Sequence, residues 1–174
     1  MHSAAALAVL RAVHIVSGVF WVGATMFLAG FLVPAVRASG PAAGPVMQHV
    51  VESRRLPLYM LTATLLVIIS GGVQMWLDAA GSSGAWMRSG PGQTFSLGAA
   101  LAIVGGIIGA AVNAPAGRRL GAIIAGARAR GGPPSADELA EIQRLQGRLA
   151  RATGWAAVLL VLATIAMAVA RYVP

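Results

Sequence analysis

Cysteine is absent from all 174 residues. Its absence excludes structural disulfides, thiolate zinc or copper sites, iron–sulfur clusters and covalent haem attachment. Lysine is absent as well, so all thirteen basic side chains are arginine, against only five acidic residues. Charged residues make up 10% of the chain, where soluble globular domains carry roughly 25%. None of Glu52, Asp78, Asp137, Glu138 and Glu141 falls in the middle of an apolar run, which argues against a carboxylate proton relay. There is no glycine-rich phosphate loop ending in Lys-Ser/Thr, no HExxH and no Ser/His/Asp set.

What fills the chain instead is apolar. Hydrophobic residues reach 57% and the mean hydropathy is +0.77. Four apolar runs, at about 4–33, 56–77, 94–114 and 152–172, each reach the roughly 20 residues a helix needs to cross a bilayer. The expected fold is an all-α integral membrane protein, a single four-transmembrane-helix bundle embedded in lipid. The first run has no basic leader and outlasts a signal-peptide core, so it reads as a retained helix.

The arginines set an orientation. Arg37, Arg54, Arg55, Arg118, Arg119, Arg128, Arg130, Arg144, Arg148 and Arg151 all lie in the first and third connections. Only Arg88 and Arg171 lie in the second connection and the tail. By the positive-inside rule the ten-arginine side is cytoplasmic and both termini are periplasmic, in a bacterial inner membrane. The net charge of +8 is therefore a topology signal, and no nucleic-acid partner is expected.

The third connection, about 115–151, carries its own helical pattern. Ser135 and Glu138 have capping-box spacing directly after Pro133-Pro134. Leu139, Ile142, Leu145 and Leu149 then recur at helical intervals, and Leu120, Ile123, Ile124 and Ala127 form a matching stripe. The spacing predicts a cytoplasmic helical extension before the fourth span, paired as a basic hairpin. In the third span Gly98, Ala102, Gly106, Ala110 and Ala114 repeat every four residues, the spacing of a close helix–helix contact. Asn113 and Pro115 are expected to end that span near the cytoplasmic face as a kink and cap.

The chemically distinctive stretch is 14-HIVSGVFWVG-23. On a helix Arg11, His14, Gly18, Trp21 and Thr25 share one face. An imidazole within a span is costly and faces the bundle interior. Three readings stand: a neutral ring hydrogen-bonded to a neighbouring helix, a haem or metal ligand, or a proton carrier. His49 lies roughly 27 Å from the centre of the second span, too deep to share an iron with His14. His2 is terminal, and Met75 stands at a depth where a thioether ligand would be. Arg54 and Arg55, opening the second span, suit either topology anchoring or an anionic headgroup or propionate.

The string from His14 to Gly23, followed by 31-FLVPAVRA-38, 53-SRRLPLYM-60 with Gly71-Gly72, and the closing 148–172 segment, resembles small CopD-like and HemJ-like bacterial membrane proteins. The resemblance implies a four-helix membrane bundle. For the HemJ-like type it implies a b-haem-binding porphyrinogen oxidase whose first-helix histidine maps onto His14. For the CopD-like type it implies copper handling. The final helix here lacks the Asn-Glu-x-Pro stretch of the HemJ-like proteins.

The leading expectation is thus a b-type haem redox protein, exchanging electrons with a quinone or a membrane partner or oxidising a porphyrinogen. His14 would be its axial metal ligand, with Arg11, Gly18, Trp21, Met75, Arg54 and Arg55 around the cofactor. The alternatives are a cofactor-free accessory or assembly subunit and a copper protein, with seven methionines available for Cu(I). A homo-oligomer is compatible with each.

Overall fold

The computed structural model describes residues 4–174 (for 41 and 42 the backbone only). His2 lies outside the described residues. The chain is all-helical, and four helices are long and apolar enough to cross a membrane: Ala4–Ser39, Leu56–Gly81, Gly90–Ala129 and Ala136–Tyr172. It is a multi-pass membrane protein. At 1.5 Å per residue the second helix is about 39 Å long, close to the full thickness of a bilayer. The third and fourth, at about 60 and 55 Å, overrun it. They overrun it at the same end, and the overhang is the arginine-rich hairpin.

Helix ends follow local chemistry. Ser135 accepts from the Glu138 backbone N–H at 3.3 Å, while the Glu138 carboxylate accepts from the Ser135 N–H at 2.8 Å. This is the expected capping box. Gly131 closes the preceding helix with φ +71°, a conformation open to glycine because it has no Cβ. Arg55 also adopts a left-handed conformation, φ 50°, and this reverses the chain into the second helix.

Two helices pass through a proline without ending. Pro34 and Pro115 lack an N–H and crowd the carbonyl four residues back. In each case the preceding turn widens to a π turn, Leu28–Leu32 and Gly109–Asn113. Val33 and Ala114, the residues just before each proline, donate five residues back to Leu28 and Gly109. Of the kink and cap expected at Asn113 and Pro115, the cap is therefore corrected, and the irregularity is a π turn. The third helix continues to Ala129, because a π turn absorbs the clash and the helix beyond has a buried face to pack.

The bundle is two antiparallel pairs. The first helix packs chiefly on the second, and the third chiefly on the fourth. Small residues bring the backbones close. A Cβ on Gly98 would stand 3.0 Å from Met167 Cγ, and one on Gly105 3.3 Å from Leu160. Gly106 turns toward the second helix instead, where a Cβ would meet Thr64 at 3.3 Å. The face toward the fourth helix thus runs Gly98, Ala102, Gly105 rather than every fourth residue, because two helices crossing at a shallow angle alternate three- and four-residue steps. Trp21, Ala63, Val67, Ala102, Leu160 and Ala163 form the core, with all four helices contributing. A second cluster of Ala116, Ile123 and Leu145, with Leu120, Ile142 and Leu149 against it, closes the hairpin.

Candidate functional site

The face read from the sequence holds from Thr25 back to His14 and diverges at Arg11. Trp21 is 4% exposed and fills the middle of the bundle. Thr25, one turn on, is also buried and donates its hydroxyl to the Trp21 carbonyl at 2.8 Å. Gly18 lies against the second helix, where a Cβ would touch Val67 at 3.9 Å. His14 is half-buried and Arg11 exposed.

His14 bridges the first pair of helices. Its Nδ1 lies 3.1 Å from the Val67 carbonyl oxygen and 3.1 Å from Ser70 Oγ. A carbonyl can only accept, so Nδ1 carries the proton and donates. The Ser70 hydroxyl donates back to the Leu66 carbonyl of its own helix, leaving a lone pair for the imidazole. The ring rests on bare backbone: a Cβ on Gly71 would come 2.7 Å from His14 Cε1. Only glycine at 71 lets the ring lie this close. The partners of His14 are Ser70, Gly71 and a backbone carbonyl, none of which has a sequence signature pointing to position 14.

The other expected site residues are not gathered here. Met75 is half-buried one turn beyond Gly71. Arg54 and Arg55 are exposed at the arginine-rich end, about 18 Å from Val67 along the second helix at 1.5 Å per residue. His49 is exposed at that end too.

The expectation of a haem b or copper cofactor is overturned. Among the described residues no three His, Cys, Asp or Glu side chains come together to hold a metal ion, and the chain has no cysteine. The face of His14 toward the second helix is sealed by Gly71 and its Nδ1 is committed to Val67 and Ser70. Three of the methionines have packing roles: Met60 lies against the core, Met167 on Gly98, and Met26 along an outer groove. Soft-metal coordination needs such donors converging on one point.

The arginine-rich end is polar and ordered. Arg119 makes a bidentate pair with Glu141 at 2.8 and 3.0 Å. Arg130 binds Glu138 at 2.6 Å, and Arg128 donates to Gln48 of the first connection. The hydrogen bond from the Ser135 backbone, then the Arg130 guanidinium, hold the Glu138 carboxyl below its ordinary range. Arg119 does the same for Glu141, whose carboxylate in turn raises Arg119. Arg118, Arg144, Arg148 and Arg151 remain exposed and outside the ion pairs of the described residues. Where the hairpin enters the bundle, Asn113 donates to Thr153 at 3.3 Å, and its buried Oδ1 has no partner among the described residues.

No protein-family model, curated protein or solved structure matches this chain.

Proposed function

We propose that the chain is an accessory or assembly subunit of a membrane complex, acting through its arginine-rich hairpin rather than through a redox centre of its own. The observation that carries this reading is the use made of His14. The one imidazole well inside a span holds two helices together through Val67 and Ser70. The hairpin, by contrast, is built as a rigid presenting surface. Its inner faces interlock through Ile123 and Leu145, its tip is fixed by a capping box, and two ion pairs tie its flanks. Arg118, Arg144 and Arg148 are left for a partner's acidic surface. By the positive-inside rule that surface lies in the cytoplasm.

The test is native electrophoresis of membranes solubilised in mild detergent. The 17.6 kDa chain should migrate in a larger assembly together with a second protein. Replacing Arg118, Arg144 and Arg148 by Glu should release it, while His14→Gln, far from the hairpin, should leave the assembly intact. A chain that runs only as itself, or a purified protein with a Soret band, would overturn the proposal.

A further inference from the structure

Two shallow apolar grooves on the outside of the bundle meet at Val158. One lies between the first and fourth helices, walled by Met26, Ala29, Gly30, Val161 and Leu162. The other continues along the fourth helix past Gly154 and Trp155 to Arg151. The gap has a local cause. Ala29 and Gly30 fall in the π turn ahead of Pro34, and neither Gly30 nor Gly154 has anything within 4 Å of where a side chain would stand.

The combined groove is charged at one end only. Because the two helices run antiparallel, Met26–Gly30 lie level with Val158–Leu162, and Arg37, two turns further on, comes level with Arg151. The Val33–Ser39 segment that carries Arg37 does touch the fourth helix. Both arginines are exposed, and neither belongs to an ion pair of the described residues. The Arg151 guanidinium folds back along its own helix, with Nη1 3.9 Å from a Cβ placed on Gly147, away from the apolar part of the groove. Trp155, 66% exposed, flanks the transition in the manner of an interfacial aromatic.

Length selects the occupant. Arg151 and Leu162 are about 16 Å apart along the helix at 1.5 Å per residue, and one leaflet of a 30 Å hydrocarbon core is about 15 Å deep. We propose that the groove binds one anionic phospholipid from the leaflet at the arginine-rich end. Arg37 and Arg151 hold the headgroup phosphate by charge-assisted hydrogen bonds, and an acyl chain lies past Gly154 and Val158 to Gly30 and Met26. A second copy of the chain fits less well, since symmetric docking would bring like-charged arginines together at the groove's mouth.

The test uses the protein reconstituted in nanodiscs of equal dioleoyl-phosphatidylglycerol and dioleoyl-phosphatidylcholine, then released for native mass spectrometry. Wild-type protein should retain one phosphatidylglycerol in preference. Each arginine near an anionic headgroup contributes about fivefold, so R37Q/R151Q should lower that preference about 30-fold. G30L and G154L, placed where space is open, should displace both lipids while helical circular dichroism is unchanged. R118Q/R144Q, on the hairpin, should leave the preference as it is. Equal retention of the two lipids by wild-type protein would overturn the proposal, as would retention indifferent to G30L and G154L. Gly154→Cys disulfides between copies would overturn it in favour of a second chain.

Discussion

At the scale of single residues, His14 and Gly71 behave as one unit. The imidazole reaches Val67 and Ser70 only because the second helix offers bare backbone at 71, where a Cβ would stand 2.7 Å from Cε1. Removing the ring loses an interhelical hydrogen bond, so His14→Ala should destabilise the bundle by about 1–2 kcal/mol. Gly71→Ala should cost about 1–3 kcal/mol while the ring is present, because the added methyl pushes the two helices apart. With Ala at 14 the same methyl meets no ring, and alanine is the better helix former by about 1 kcal/mol. Gly71→Ala should then be neutral or stabilising. A double-mutant cycle by unfolding in detergent with increasing dodecyl sulfate reads this sign change. Additive losses would show that the two residues do not share a contact. The position and depth of His14 were legible from one histidine in an apolar run; its partners were not. Ser70 and Gly71 are ordinary span residues until the register between two helices is known, and no local pattern encodes that register.

At the scale of elements, the hairpin was the most legible part of the chain. Its two stripes meet through Leu120, Ile123, Ile142, Leu145 and Leu149, with Leu139 left exposed, and its capping box forms between Ser135 and Glu138. The third helix was harder, since a proline ordinarily marks an end and the π turn at Gly109–Asn113 has no composition of its own. The hairpin also has a pH dependence with a definite sign. The carboxyls of Glu138 and Glu141 are held below their ordinary value of 4.5 in the folded chain. The unfolded hairpin therefore binds protons first as pH falls. The stabilisation is fully present above the ordinary carboxylate range and is lost as pH drops through the lowered folded values. Arg119, held above the usual arginine value by Glu141, stays charged throughout that window and adds no slope. Amide exchange at Ala114–Ala129, corrected for intrinsic rate, should lose protection as pH falls through the ordinary carboxylate range and below it. In E138Q/E141Q the profile should be flat, since glutamine still completes the capping box. A slope that survives in that variant would place the titrating groups elsewhere. Ser135→Ala, which removes the cap itself, should cost the hairpin about 1 kcal/mol at any pH.

At the scale of the whole molecule, two features meet: a bundle with a small core and a strong asymmetry of charge. Leu160 is the one large side chain fully buried among the described residues, and the remaining core is mostly Ala with Trp21 at its centre. In water such a core would be inadequate for 174 residues; in lipid the outward leucines, isoleucines and valines already sit in their preferred solvent. The bundle is therefore positioned by its ends rather than by its interior. Ten arginines crowd one end, while the second connection and the tail hold two. By the positive-inside rule we propose that the ten-arginine end stays in the cytoplasm during insertion. The absence of cysteine makes this directly measurable, because any introduced thiol is the only one. Ala85 is exposed in the second connection and Gly132 at the hairpin tip, where a Cβ meets nothing within 4 Å. In intact cells a membrane-impermeant maleimide should label Ala85→Cys and leave Gly132→Cys untouched until the membrane is opened. The reverse pattern would put the hairpin outside. It would also move the lipid groove headed by Arg37 and Arg151 to the outer leaflet, where anionic headgroups are fewer and its charge would have less to bind.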